Sequence, residues 1–225
     1  MDPLRRQFIE FALQSGVLRF GEFTTKAGRK SPYFFNAGLF CRGSMLGRLA
    51  RFYAQTLLAA EQAGRVNFDM LFGPAYKGIT LASSTAIALA ELGHDVGFAF
   101  NRKEAKDHGE GGVIVGTPLA GRVMIVDDVI TEGLAKRESV QLIRSLGAEP
   151  AGVLIALDRR ERTGPDDALS SLSAVQAFEQ AFGVPIVAIA DFNDLIEFLD
   201  SGSPLAVPAQ PYRAAMQAYR SRYGV

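Results

Sequence analysis

Covalent or metal stapling has little to work with in this chain: its 225 residues include one cysteine, Cys41, and two histidines, His94 and His108. A lone cysteine excludes an intramolecular disulfide and a multi-cysteine zinc site. The two histidines stand too far apart in sequence for a helical metal pair. Excess charge is missing as well, with 24 cationic against 24 anionic side chains, which argues against a nucleic-acid binder with its basic face. No apolar stretch approaches the ~18 residues of a membrane helix. Asp2, Arg5, Arg6 and Glu10 interrupt the apolar residues of positions 1–18, unlike a signal peptide. Together these absences predict a soluble, cytoplasmic protein of a reducing compartment. Hydrophobic residues make up 48% of the sequence, and a chain of this length buries roughly 70% of its unfolded surface without any staple. The length fits one large α/β domain, or one domain with a small subdomain.

Leu4, Phe8, Phe11, Ala12 and Leu13 recur at helical spacing after Pro3. Residues 28–43, around Ser31-Pro32-Tyr33-Phe34-Phe35-Asn36, read as irregular or extended, with a turn at 31–36. A second helix is predicted over 44–63. Beyond it, short apolar runs at 69–72, 95–100, 123–126, 153–157 and 186–189 alternate with helical stretches at 79–92, 135–146 and 172–182. Strands that are apolar throughout are buried on both faces, as in a parallel sheet covered by helices. Ligands of such sheets collect at the carboxyl ends of the strands. That singles out Gly73-Pro74, Asn101-Arg102, Asp127-Asp128 and Asp158-Arg159. Positions 163–173 and 201–211 read as surface loops, and there is no internal repeat.

The most informative segment runs Val123-Met124-Ile125-Val126-Asp127-Asp128-Val129-Ile130-Thr131-Glu132-Gly133-Leu134-Ala135. A buried strand leads into adjacent carboxylates, a glycine turn and a helix start. Backbone N–H groups at such a start can cradle a phosphate, and the carboxylates can hold the vicinal hydroxyls of a ribose. An isolated Asp-Asp pair more simply ends a strand and caps a helix; the whole strand–DD–turn–helix pattern favours the ligand site. Two other nucleotide motifs fail. Gly73 and Gly78 have P-loop spacing, but Ile79 stands where the lysine belongs. Gly109, Gly111 and Gly112 make no G-x-G-x-x-G.

These motifs carry a family resemblance. The Asp127-Asp128 segment resembles the phosphoribosyl-pyrophosphate loop of type I phosphoribosyltransferases. Gly21-Glu22-Phe23-Thr24, Lys30-Ser31-Pro32-Tyr33-Phe34-Phe35-Asn36, Leu71-Phe72-Gly73-Pro74-Ala75-Tyr76-Lys77-Gly78 and residues 101–112 narrow it to the bacterial-type orotate phosphoribosyltransferases. The likeness runs almost end to end and is weakest in the 163–173 and 201–211 loops. It implies an α/β fold with a mostly parallel core sheet, flanking helices and a small N-terminal hood. The chain would then be one domain over 1–225, with the hood mainly at 1–65, the core at about 66–200 and a C-terminal helix at about 207–223.

The implied activity is transfer of ribose 5-phosphate from phosphoribosyl pyrophosphate to orotate, with Mg²⁺ as cofactor. This is a pentosyl transfer, a glycosyltransferase reaction, giving orotidine 5′-phosphate and pyrophosphate late in pyrimidine (UMP) synthesis. By resemblance, Lys26, Tyr76, Lys77, Arg102, Lys103, Lys106, His108 and the run Asp127, Asp128, Val129, Ile130, Thr131, Glu132, Gly133, Leu134 and Ala135 contact phosphoribosyl pyrophosphate. Lys103, Lys106 and His108 would stabilise the leaving pyrophosphate, and Asp127 and Asp128 would hold the ribose. Phe34, Phe35, Thr131 and Arg159 would surround orotate, and Mg²⁺ would be held mainly by pyrophosphate and water. The implied assembly is a homodimer whose lid, residues 101–112, reaches the neighbouring site, with no nucleic acid or membrane partner. That lid holds no apolar residue larger than alanine, so it has nothing to anchor it in a core and is expected to be mobile without ligand. Arg159 follows a buried strand directly, where a guanidinium can meet a carboxylate in a bidentate pair; alternatively it forms a surface ion pair with Glu161.

In the resembling family the phosphate loop usually reads Thr-Ala-Gly-Thr-Ala, whereas here it reads Thr131-Glu132-Gly133-Leu134-Ala135. Leu134 cannot donate a hydroxyl hydrogen bond to the 5′-phosphate, and Glu132 adds a carboxylate beside it. The expectation is an active fold with weakened substrate affinity. Two other readings stand beside it: a non-catalytic regulator that binds phosphoribosyl pyrophosphate as a signal, and a transferase for a different base.

Overall fold

A computed structural model describes residues 1–25, 28–106, 112–130 and 133–225. Helix α1 (Pro3–Gln14) starts where expected: the Asp2 carboxylate accepts the N–H of Leu4 at 2.8 Å and of Arg5 at 3.2 Å, and Pro3 occupies the first turn, where its missing N–H costs nothing. Strands β1 (Leu18–Thr24) and β2 (Lys30–Phe35) then form an antiparallel pair, followed by helix α2 (Gly43–Gln62). The expected turn at 31–36 is therefore a strand. Ser31 and Tyr33 are buried and Tyr33 packs on the core, while the two-stranded ribbon tolerates Pro32 because no third strand needs its N–H.

The rest of the chain alternates strand and helix: β3 (Met70–Gly73), α3 (Lys77–Glu91), β4 (Gly97–Lys106), β5 (Gly112–Gly116), β6 (Arg122–Val126), α4 (Leu134–Ser145), β7 (Glu149–Asp158), α5 (Ala174–Phe182), β8 (Ile186–Asp191) and α6 (Phe192–Leu199). A 3-10 turn at Val207–Tyr212 leads into α7 (Arg213–Tyr223), so the expected helix at 207–223 is α-helical only in its second part; Pro208 and Pro211 lack the N–H an α-helix needs there. The six-stranded sheet has the order β5-β4-β3-β6-β7-β8, parallel except for the β4–β5 pair.

Along the central strands successive side chains enter two different cores. Leu71, Met124, Val126, Leu154 and Ala156 face α1, α2, α3, α6 and α7, and Phe72, Val123, Ile125, Val153 and Ile155 face α4 and α5. Both faces are covered, which is why these strands read as unbroken apolar runs. Strands β1 and β5 and helix α6 escaped the sequence pattern. Strand β5 offers only Val113, Ile114 and Val115 as apolar residues, and α6 follows β8 with no intervening loop, started by the Asp191 carboxylate on the N–H of Asn193 at 2.8 Å and Asp194 at 3.1 Å. Residues 101–106 prolong β4 and pair with β5 at two points, Asn101 with Ile114 and Lys106 with Gly112, with an irregularity between them; such backbone pairing needs no apolar residue.

From β3 the chain moves outward to β4 and β5, then returns to place β6 on the other side of β3. The connections after β3 and β6 therefore leave in opposite directions and open a crevice at the carboxyl ends of the two strands.

Candidate active site

Two glycines bring the walls of that crevice together. A Cβ on Gly73 would lie 2.0 Å from the carbonyl oxygen of Gly78, and one on Gly78 would lie 2.5 Å from Pro74 Cδ and 2.9 Å from the Val126 carbonyl oxygen. The P-loop-like spacing thus serves close packing, letting α3 begin directly on the ends of β3 and β6. Asn101 Oδ1 accepts the N–H of Ala75 at 2.8 Å, tying the turn to β4, and the peptide between Ala75 and Tyr76 is cis. Tyr76 projects from this turn with 69% of its surface exposed. Lys103 Nζ sits 4.8 Å from its ring centroid, a cation–π contact across the mouth of the crevice.

At the end of β6, Asp127 and Asp128 are buried. Asp127 Oδ1 accepts the N–H of Asp128 at 2.9 Å, and Asp128 Oδ1 accepts the N–H of Val129 at 2.8 Å. Tyr53 of α2 donates its hydroxyl to the Asp127 carbonyl at 2.8 Å. Each carboxylate has its own lysine. Asp128 Oδ2 meets Lys77 Nζ of α3 at 2.7 Å, and Asp127 Oδ2 meets Lys136 Nζ of α4. Burial pushes the Asp127 carboxyl above the usual carboxylate range, Lys136 opposes that rise, and the neighbouring charge of Asp128 adds to it. Burial likewise holds the Tyr53 phenol well above its ordinary value, so it acts as a neutral donor.

The turn then passes Gly133, whose φ of +71° lies in the left-handed region, where a Cβ would cost about 1–2 kcal/mol. Helix α4 begins at the next residue. Among the described residues no side chain caps it, and Leu134 on its first turn is 64% exposed. Backbone N–H groups at such an uncapped start suit an anion.

At the end of β7, Arg159 donates from Nη2 and Nε to Glu161 Oε1 at 2.7 and 3.0 Å, and its guanidinium lies 5.0 Å from the Tyr33 ring centroid. Tyr33 donates its hydroxyl to the same Glu161 oxygen at 3.2 Å. The ion pair with Glu161 is therefore present, but it is largely buried and not a surface pair. Arg160 is the one non-glycine with positive φ among the described residues, at +50°. Its N–H is held by Asp158 Oδ1 at 2.8 Å and its guanidinium by Asp191 at 3.0 Å. The chain's own C-terminus packs alongside: Arg162 N–H binds the Tyr223 carbonyl at 2.8 Å, and Val225 N–H binds the Arg160 carbonyl at 3.1 Å.

Phe34 and Phe35 do not form one flat cover, because neighbours on a strand face opposite ways. Phe34 stacks on Phe23 at 5.4 Å beside Arg19, whereas Phe35 turns toward Phe8 at 6.4 Å. Lys26, the side chain of Lys106, His108, Thr131 and Glu132 lie outside the described residues. Tyr76, Lys77, Lys103, Asp127 and Asp128 come together at the β3/β6 crevice. Arg159 stands at the end of the next strand, β7.

Sequence reading missed Lys136, Tyr53 and Tyr33, and named Glu161 only as a surface partner of Arg159. Lys136 left a signal: it shares one helical face with Val140 and Ile143, four and seven residues on, both buried, so a charged residue sits on an apolar stripe. Tyr53 and Tyr33 left none, because each reads as an ordinary core aromatic.

A phosphoribosyl transferase domain model matches residues 45–186. The chain is 62% identical to an orotate phosphoribosyltransferase of Herminiimonas arsenicoxydans over 225 residues, 100% of both chains. It is 61% identical to one of Cupriavidus necator over 222 residues, covering 99% of this chain and 95% of the relative. The chain belongs to the orotate phosphoribosyltransferase family. A crystal structure of the Francisella tularensis family member superimposes with a TM-score of 0.83 at 39% identity, covering 97% of this chain and 100% of that one. The type I phosphoribosyltransferase fold, with its mostly parallel sheet flanked by helices, is thus the fold of this chain.

Proposed function

We propose that the chain transfers ribose 5-phosphate from phosphoribosyl pyrophosphate to N1 of orotate, releasing pyrophosphate and forming orotidine 5′-phosphate for pyrimidine (UMP) synthesis. The observation that carries the reading is the pair of buried carboxylates at the β3/β6 crevice, each matched to a lysine and followed by a helix start that no described side chain caps. Asp127 and Asp128 accept from the ribose hydroxyls, and the backbone of residues 129–135 takes the 5′-phosphate. Tyr76, Lys77, Arg102 and Lys26 contact the pyrophosphate side. Arg159 meets the orotate carboxylate, with Phe34, Phe35 and Thr131 around the ring.

As the bond from C1 to the pyrophosphate oxygen breaks, its electron pair leaves with pyrophosphate and C1 becomes oxocarbenium-like. The N1 lone pair forms the new bond and the N1 proton is lost. The chain's part is positioning and charge neutralisation: Lys103, Lys106 and His108 stabilise the leaving group. Mg²⁺ supplies further neutralisation while held mainly by pyrophosphate and water, a reading supported by the lysine partners that Asp127 and Asp128 already have. We assign residues 1–65 to a hood over the core at about 66–200, and the active species to a homodimer in which the lid at 101–112 serves the partner's site. We place the enzyme in the cytoplasm; no helix among the described residues is long and apolar enough to cross a membrane. The regulator reading finds no support in full-length relatives of about 60% identity that carry the enzyme's name.

Following orotate's ultraviolet absorbance tests the reading. Orotate is expected to disappear only when phosphoribosyl pyrophosphate and Mg²⁺ are both added. Binding of phosphoribosyl pyrophosphate without any orotate loss would overturn it.

A further inference from the structure

Lys136 is a lysine on a core-facing stripe. Its side chain is 8% exposed, and it shares its face of α4 with Val140 and Ile143, both fully buried. Burying an ammonium is costly unless it is paired, and here it is paired twice. It meets the Asp127 carboxylate at Oδ2, and it donates to the Val129 carbonyl at 2.6 Å, which fixes the first peptide of the loop that leads to α4.

The surrounding charges form an alternating row: Lys136, Asp127, Asp128, Lys77. Its two ends differ. Lys77 keeps 56% of its side chain exposed and can turn toward an arriving phosphate. Lys136 is enclosed and has no such freedom. When Lys77 leaves, two adjacent buried carboxylates remain, and a buried carboxyl without a nearby cation takes up a proton. A protonated Asp127 would give up acceptor capacity that the ribose hydroxyls require. Among the described residues, the charged groups facing Asp127 are Lys136 from α4, Asp128 next in the chain and, beyond it, Lys77 from α3; Tyr53 from α2 adds a neutral phenol.

We propose that Lys136 is a positioning residue, a resident counter-ion that keeps the Asp127 carboxylate ionised and aimed, and the Val129 peptide fixed, before phosphoribosyl pyrophosphate arrives. The inference rests on the function proposed above. It assigns the two lysines different tasks: Lys77 works on the substrate and Lys136 works on the loop.

The test is Lys136→Gln, which can still donate to the Val129 carbonyl but carries no charge. Equilibrium affinity for phosphoribosyl pyrophosphate with Mg²⁺, measured from pH 6 to pH 8 beside the wild type, is expected to fall about tenfold at pH 6 and to recover toward the wild type at pH 8. The KM for orotate is expected to change by less than about threefold. Lys136→Arg, which keeps the charge, should retain the wild-type pH profile. Wild-type affinity in the glutamine variant at every pH, or an equal loss for both substrates independent of pH, overturns the proposal. Should the glutamine variant fail to fold, a shifted pH profile in Lys136→Arg overturns it, and an unshifted one supports it. A wild-type protein that never consumes orotate would instead overturn the function, so the two failures are distinguishable.

Discussion

At the end of β6, two buried carboxylates are neutralised by lysines from the helices that flank the crevice. At the end of β7, one buried guanidinium is neutralised by Glu161 and faced by the Tyr33 ring. In the cradle the two carboxylates, the turn after them and Lys136 are close neighbours in sequence at one sheet edge, and α3 and α2 bring Lys77 and Tyr53 to them. The β7 pocket gathers residues from three distant parts of the chain, Tyr33 from β2, Arg159 and Glu161 after β7, and the C-terminal residues Tyr223 and Val225 against Arg160 and Arg162. The cradle is therefore buffered by the sheet, whereas the pocket depends on β2 and the C-terminal residues staying docked. The two should fail independently, each for its own substrate.

The largest effect is expected from removing the cradle's charge. Asp127→Asn with Asp128→Asn exchanges both charge-assisted acceptors for neutral amides. Hydrogen bonds to charged groups contribute about 1.5–3 kcal/mol each, so kcat/KM for phosphoribosyl pyrophosphate should fall by about 10²–10⁴-fold. The substitution also leaves Lys136 buried without a counter-charge, so a lower Tm should accompany the loss. Steady-state kinetics with a thermal melt check both, and activity within tenfold of wild type would mean the ribose is held elsewhere.

The contrast between the two regions also explains what the sequence made legible. Asp127 and Asp128 stand out because an apolar run ends in two charges at a place where parallel sheets collect ligands, and both ends of that pattern lie within thirteen residues. The β7 pocket has no such local signature. Nothing near Tyr33 announces that its ring lies under Arg159, 126 positions later, and Pro32 beside it suggested a turn where β2 actually runs. Strands buried on both faces were readable as strands, but their division between two cores was not, since an apolar run hides the period of two. The outer half of β4 was hidden for the opposite reason: it is tied to β5 by backbone pairing at Asn101 and Lys106, and backbone pairing leaves no mark in side-chain chemistry.

Arg159→Ala sharpens the comparison from the pocket side. With Arg159 meeting the orotate carboxylate as proposed, its loss should raise the KM for orotate by about 30–160-fold, from a charge-assisted contribution of about 2–3 kcal/mol. Phosphoribosyl pyrophosphate binding should stay within about threefold. Glu161→Gln is the milder companion: it loosens the aim of Arg159 without removing it, and about tenfold in the orotate KM is expected. If either change moved phosphoribosyl pyrophosphate affinity as much as orotate, the two regions would be one coupled unit.

The smallest effect concerns the loop between the cradle and α4, which carries Glu132 and Leu134. Leu134 is 64% exposed on the first turn of α4, so a threonine there has room and would offer the 5′-phosphate a hydroxyl. Glu132 places a carboxylate next to that phosphate in sequence. A single recovered hydrogen bond to a charged group corresponds to about tenfold in affinity. Glu132→Ala with Leu134→Thr is accordingly expected to lower the KM for phosphoribosyl pyrophosphate by up to about tenfold and to leave that for orotate nearly unchanged. A negative residue at a helix start is also favourable to the empty protein by about 0.3–1 kcal/mol, so the double variant should melt slightly earlier even as it binds better. Kinetics and a melt on the same preparation separate these opposed effects. An unchanged or raised KM would mean that the backbone N–H groups already satisfy the phosphate, and that both departures are neutral to binding.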